Sequence, residues 1–144
     1  MLLRVLVASL AGALVFFCLG FVIYSFVVDP FMKGHMNQFP GLMKEPMPSL
    51  GFLFGWNFVM SFLFAFVFDK WAGIRTFVGG LKGGFVMMLI MAVMSDLSYL
   101  AFMNIYKDFL APLIDILAAT FLGTVAAGVI GMVLGLFSKQ SDTA

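Results

Sequence analysis

Hydrophobic residues are collected into four long runs, and the short stretches between them hold most of the charged residues. Each run is long enough to cross a bilayer about 30 Å thick as an α-helix, which rises about 1.5 Å per residue. Backbone groups in lipid must be hydrogen-bonded within their own segment, and the alternating pattern of a membrane β-strand is absent, so helices are predicted. The predicted helices are residues 5–28, 51–68, 85–106 and 113–137.

The two longer connecting segments differ in character. Residues 29–50 form a predicted outer loop, in which Asp29 and Pro30 are typical of a helix start and Pro40 of a helix end. This spacing predicts a short helix that lies in the membrane interface. Residues 69–84 form a predicted cytoplasmic loop. Its GGLKGG stretch, residues 79–84, lacks the features of a phosphate-binding loop and is predicted to be a pliable linker.

Composition and charge favour a membrane protein with both ends on one side. Hydrophobic residues make up 63% of the chain and charged residues 10%, which is too few to cover a water-facing surface. The net charge of +1 gives no electrostatic reason to expect a nucleic-acid partner. Lysine and arginine are more frequent on the side of the chain ends, which predicts cytoplasmic termini. The predicted fold is all-α, a single four-helix bundle with an N-in/C-in arrangement, embedded in the lipid bilayer.

Small residues recur at every fourth position of the last predicted helix. Such a stripe lets the backbone of another helix approach closely. Two uses remain open, namely packing within the bundle and a contact face for a homodimer or a larger membrane complex. The members of the stripe are Ala119, Gly123, Ala127, Gly131 and Gly135.

Two stretches carry a family resemblance. GALVFFCLGFVIYS in the first predicted helix and GTVAAGVIGMVLGLF in the last resemble the end helices of a family of small four-helix bacterial membrane proteins of unknown function. The resemblance rests on glycine placement in apolar helices. It implies a multi-pass protein of the bacterial inner membrane, and it brings no activity, cofactor or site residues with it.

Asp96 lies near the middle of the third predicted helix, where a carboxylate costs about 2.5–3.5 kcal/mol on the membrane-insertion scale. The Leu, Ile, Val and Phe residues of that helix contribute about −3 to −5 kcal/mol, so Asp96 cancels most of the drive for insertion. Such a residue is expected to face the bundle interior and to find polar partners or a proton. Helical spacing offers Ser95 and Tyr99 on the same helix, and Asn57 and Ser61 on the second helix.

These five residues have two interpretations. They form a candidate proton or cation site, because intramembrane carboxylates are often functional, or they form a structural knot of hydrogen bonds between helices. We find no serine–histidine or cysteine–histidine pairing, so the chain is predicted not to be an enzyme. The leading prediction is therefore a non-enzymatic accessory or helix-packing partner protein. The alternative is a small proton-coupled transporter that uses Asp96.

No cofactor and no metal are predicted. One histidine and one cysteine cannot supply a tetrahedral zinc site. The outer loop does combine one imidazole with several thioethers, which are ligands suited to Cu(I), so copper binding there stays open. Methionine is also a common filler of apolar gaps, and the chain contains 12 of them. The loop residues concerned are Met32, His35, Met36, Met43 and Met47.

Overall fold

The computed structural model describes residues 2–42 and 47–141, with side chains up to residue 138. Within these residues the regular structure is helical, which confirms the all-α prediction. Four helical spans are long and apolar enough to cross a membrane: Leu2–His35, Leu50–Ala72, Phe77–Phe102 and Leu110–Ser138. The α-helices are α1 (Leu2–Ile23), α2 (Asp29–His35), α3 (Leu50–Val67), α4 (Phe77–Phe102) and α5 (Leu110–Ser141).

The first span is continuous, and a π turn widens it where α1 meets α2. Pro30, in the first turn of α2, has no N–H, and its ring crowds the carbonyl four residues earlier, so a regular helix is disrupted there. The π turn Tyr24–Val28 absorbs this disruption, with the Asp29 N–H bonded to the Tyr24 carbonyl. The first helix therefore extends to His35, whereas the sequence pattern predicted an end at residue 28 and a separate interfacial helix.

The connection between α3 and α4 is much shorter than predicted. A second π turn, Phe68–Ala72, ends at Gly73, whose φ of 63° lies in the left-handed region that glycine adopts at low cost. α4 then begins at Phe77, because the Thr76 hydroxyl accepts the Gly79 N–H at 3.0 Å and caps the helix. The prediction of a pliable linker at residues 79–84 was wrong, since these residues form the first turns of α4.

Two glycines of α4, Gly80 and Gly84, let its backbone pack closely against α5. The buried residues of α4 also recur every fourth position, and they face the small-residue stripe of α5. A Cβ added at Gly84 would lie 2.1 Å from the Ala127 Cβ, and one added at Gly131 would lie 2.6 Å from the Thr76 carbonyl oxygen. Glycine lowers helix propensity, but here it permits a close interhelical contact. The α4 stripe consists of Gly80, Gly84, Met88, Ala92 and Asp96.

α5 is the central helix of the bundle. Half of the apolar segment of α5 is buried inside the bundle, compared with 17–28% for the other three spans. It packs against α4 on one side and α1 on another, and α3 packs mainly against α1. The common core is formed by α5 residues such as Ile130 and Leu134 with Phe16 of α1 and Phe64 of α3.

The antiparallel order gives the bundle two distinct ends. Arg4 contacts Asp69, and Gly135 lies against Arg75, so the start of α1, the α3–α4 turn and the end of α5 are together at what we call the proximal end. The opposite, distal end carries the turn after α2 and the turn between α4 and α5. The α5 stripe is covered by α4 within one chain, so a dimer through that stripe would have to displace α4.

The close contact of α4 with α5 predicts a difference between two glycine substitutions. Gly84→Ala is expected to lower the free energy of unfolding by about 1–3 kcal/mol, because the new methyl group would overlap Ala127 and push the helices apart. Gly55→Ala is the matched control, since Gly55 is an exposed helical glycine of α3 with no atom within 4 Å of the added Cβ.

The control is expected to be neutral or stabilising by up to about 1 kcal/mol through helix propensity. Unfolding in mixed micelles, followed by circular dichroism, measures both effects. Coincident unfolding curves for the two variants would contradict the packing described for α4 and α5.

Candidate functional site

Asp96 is the distal member of the α4 stripe, and only 1% of its surface is exposed. Because it follows Gly80 by four helical repeats of four residues, its side chain points towards α5. The Tyr106 hydroxyl donates a hydrogen bond of 2.5 Å to Asp96 Oδ1. The other carboxylate oxygen, Oδ2, is buried and has no hydrogen-bond partner among the described residues.

Tyr106 reaches Asp96 because the chain turns back after α4. Met36 and Tyr106 form an antiparallel bridge between the turn after α2 and the turn before α5. The Asn37 N–H and the Lys107 N–H each donate a backbone hydrogen bond of 2.8 Å across this pairing. We call this pairing of residues 36–37 with 104–107 the distal cap. It positions the Tyr106 ring at the distal end of α4.

A second aspartate lies close to the first. Asp115 of α5 accepts a hydrogen bond of 2.9 Å at Oδ1 from the Tyr24 hydroxyl. Tyr24 is the first residue of the π turn in the first span, so the widened turn carries one of the donors. The two pairs bring together α4, α5, the first span and the distal cap. We call the four residues Tyr24, Asp96, Tyr106 and Asp115 the acid cluster.

Electrostatics link the two pairs into one unit. The pKa of Tyr106 is raised above its ordinary value, first by burial, then by the hydrogen bond to Asp96, and then by the charges of Asp96 and Asp115. The phenol therefore stays protonated at neutral pH and acts as a donor. Both carboxylates affect the same hydroxyl, so they lie within electrostatic range of each other.

The acid cluster has no positive counter-charge in the part of the chain that the structure describes. The ion pairs there involve Asp69 and Asp108, not Asp96 or Asp115. No group of three or more His, Cys, Asp or Glu residues lies together among the described residues. The cluster has two carboxylates, two phenolic donors and one carboxylate oxygen, Asp96 Oδ2, that has no hydrogen-bond partner among the described residues. Such a group is chemically suited to hold a proton.

Four of the five predicted site residues lie outside this cluster. Asn57 and Ser61 are buried, but on α3, where Ser61 Oγ would lie 3.0 Å from a Cβ added at Gly12 of α1. Their polar face therefore points to α1. Ser95 and Tyr99 are exposed on α4, and neither hydrogen-bonds to Asp96. Of the predicted set, only Asp96 belongs to the acid cluster.

The two partners that sequence reasoning missed depended on helix boundaries. Tyr106 was placed inside the third helix, where ten residues of α-helix would separate it from Asp96 by about 15 Å. Asp115 fell in the first turn of the predicted helix 113–137 and was not among the predicted site residues. α5 begins earlier, at Leu110, because Asp108 Oδ1 accepts the Leu110 N–H at 3.0 Å. The sequence features that could have indicated these two partners were a tyrosine, Tyr106, next to a predicted turn and an acid, Asp115, within an apolar helix.

Two of the candidate copper ligands of the outer loop, His35 and Met32, are engaged in other contacts, whereas Met47 is exposed. His35 Nδ1 is hydrogen-bonded to Asp108 Oδ2 at 2.6 Å, and the pKa of Asp108 is lowered chiefly by this bond. The His35 ring also stacks on Phe31, and Met32 is buried in a small distal core. Met43 lies outside the described residues. Copper binding by this loop stays untested.

Comparison with known proteins gives no assignment. A scan of protein-family models, a search of curated proteins and a search of solved structures each produced no match to this chain. The resemblance to a family of small four-helix bacterial membrane proteins therefore stays a prediction.

The contact between Tyr106 and Asp96 predicts a stability difference between two tyrosine substitutions. Tyr106→Phe removes the hydroxyl donor and leaves a buried carboxylate without a hydrogen-bond partner, which is expected to cost about 1–2 kcal/mol. Tyr99→Phe is the control, because Tyr99 is 40% exposed on the same helix as Asp96 and does not bond to it.

Thermal unfolding of the purified variants in nanodiscs measures the difference. The control is expected to melt with the wild type. If Tyr106→Phe had the same melting temperature as the wild type, the hydrogen bond from Tyr106 to Asp96 would not stabilise the protein.

Proposed function

We propose that the chain is a multi-pass protein of the bacterial inner membrane with both termini in the cytoplasm, as its resemblance and charge distribution imply. The proximal end corresponds to the side richer in basic residues, which supports a cytoplasmic location under the positive-inside rule. The basic residues assigned to that side are Arg4, Lys70, Arg75, Lys82 and Lys139, against Lys33, Lys44 and Lys107 on the other.

We further propose that the protein is non-enzymatic and binds a proton at the acid cluster, as a small proton-coupled transporter would. The observation that carries this proposal is that Asp96 and Asp115 lie within electrostatic range of each other on facing helices. Each accepts a hydrogen bond from a tyrosine, and among the described residues neither forms an ion pair with a basic side chain. Ionising both carboxylates in a low-dielectric interior would place two like charges close together, so the pair is expected to retain a proton. Carboxylates inside membrane helices are the usual proton carriers of pumps and transporters.

The test replaces one acid by its neutral isostere. In wild-type protein at neutral pH we expect an infrared carbonyl band from a protonated carboxyl group, and we expect Asp96→Asn to lose it, because Asp115 can then ionise alone. Asp96→Asn is also expected to melt at least as high as the wild type, since asparagine still accepts from Tyr106 without the cost of a buried charge. Asp29→Asn is the control, because Asp29 is exposed on α2.

The Asp29→Asn control should keep the carbonyl band of the protonated carboxyl group. A wild-type spectrum without a protonated carboxyl band, together with a clearly lower melting temperature for Asp96→Asn, would contradict the proposal. Asp96 would then be a structural hydrogen-bond acceptor.

A second candidate function, an accessory protein that binds a partner membrane helix, is favoured by a different observation. Ser95, Ser98 and Tyr99 are exposed on one face of α4, although the exposed residues beside them, such as Leu97 and Leu100, are apolar. Hydroxyl groups on a lipid-facing surface commonly bond to another helix. The α5 stripe is already covered by α4, so the exposed α4 face is the better position for a homodimer or a larger complex.

A photo-crosslinking residue at position 95 tests this second candidate in intact membranes. The matched control is position 86, because Val86 is equally part of α4 and exposed but lies on the opposite side of the helix. A discrete adduct from position 95 and none from position 86 is expected, and its mass would distinguish a second copy of the chain from another protein. Equal labelling from both positions would contradict a specific partner face.

A further inference from the structure

Three basic side chains converge on one buried carboxylate at the proximal end. The Asp69 side chain, in the π turn after α3, is fully buried, with 0% of its surface exposed. Arg4 Nε lies 2.9 Å from Asp69 Oδ1, and Lys70 Nζ lies 3.9 Å from Oδ2. Arg75 donates to Oδ1 through Nη1 and to the Asp69 carbonyl through Nη2. We call Arg4, Lys70 and Arg75 the basic cluster.

The basic cluster carries more positive charge than Asp69 can balance. One carboxylate neutralises only one of the three cations, and no other described acid forms an ion pair with them. Arg4 donates a hydrogen bond of 3.1 Å from Nη2 to Asp69 Oδ2, whereas its buried Nε has no acceptor in hydrogen-bond geometry among the described residues. The side chains of Arg4, Lys70 and Arg75 are 26%, 28% and 26% exposed, so an anion can reach them from outside the bundle.

The position of the basic cluster identifies the kind of anion. Arg4 directly precedes the first apolar run, Lys70 follows the second, and Arg75 lies just before α4. When the four spans cross a bilayer, these residues lie where the hydrocarbon ends and lipid phosphates begin. The neighbouring Trp71 is 77% exposed, as is typical of an indole in the headgroup region.

We propose that the basic cluster binds the phosphate of an anionic phospholipid at the proximal membrane surface. Arginine guanidinium groups match phosphate oxygens in paired hydrogen bonds, and lysine adds a point charge. Asp69 orients the two guanidinium groups, and the lipid supplies the negative charge that the chain lacks at this position. Basic pockets between membrane helices bind anionic headgroups in the same way. The proposal does not depend on the acid cluster.

The test uses the full chain in nanodiscs of phosphatidylcholine, with or without phosphatidylglycerol, and counts retained lipids by native mass spectrometry. Lys70→Gln removes one positive charge and leaves the arginine contacts with Asp69 in place, so it is expected to weaken phosphatidylglycerol binding about fivefold. Lys33→Gln is the matched control, because Lys33 is an exposed lysine at the distal end. Lys70→Arg keeps the charge and is expected to retain binding.

Binding that is lost only in Lys70→Gln, and that weakens with salt in the unmutated protein, would support the site. Equal losses in Lys70→Gln and Lys33→Gln would overturn it, since the effect would then be one of general surface charge. Insensitivity of the wild type to salt would also overturn it. Inorganic phosphate in phosphatidylcholine discs is the third arm. If it bound as well as phosphatidylglycerol, the site would take free phosphate, and the proposal of a lipid ligand would fail.

Discussion

The close contact between the backbones of α4 and α5 is the constraint on which the rest of the structure depends. Where a Cβ at Gly84 would collide with Ala127, the two helices can meet only in the register that keeps their small residues opposite each other. That register runs the whole length of both stripes. It places Arg75 beside Gly135 at the proximal end and brings Asp96 towards Asp115 at the distal end. The position of the acid cluster is thus a consequence of packing several turns away.

The acid cluster also connects parts of the chain that are distant in sequence. Asp96 and Asp115 lie on α4 and α5, but their hydroxyl donors come from the distal cap and from the π turn of the first span. Any change in the charge of Asp96 alters its bond to Tyr106, and Tyr106 is paired with Met36 through the cap. The protonation state of the cluster and the geometry of the distal end are therefore thermodynamically linked.

Sequence reasoning predicted the all-α class and the α5 stripe, because both are periodic signals contained within single segments. It misassigned residues 79–84, because glycines that loosen a linker and glycines that allow close packing look identical until the partner stripe around Ala127 is known. It found Asp96 but not Tyr106 or Asp115. Those contacts depend on where α4 ends and α5 begins, and element boundaries are weakly encoded when apolar residues continue across them.

The contrast between Asp69 and the acid cluster bears on what the buried carboxylates are for. Asp69 has a fully buried side chain and is in contact with three cations. This is how a chain stabilises a buried carboxylate whose role is to join helices, since removing a charge from water requires a partner. Asp96 is buried to the same degree and lies near a second acid, yet its described donor is a neutral phenol. A purely structural polar contact at this position is available at lower cost from asparagine or serine. Keeping an ionisable group there is consistent with a role in which the group gains and loses a proton.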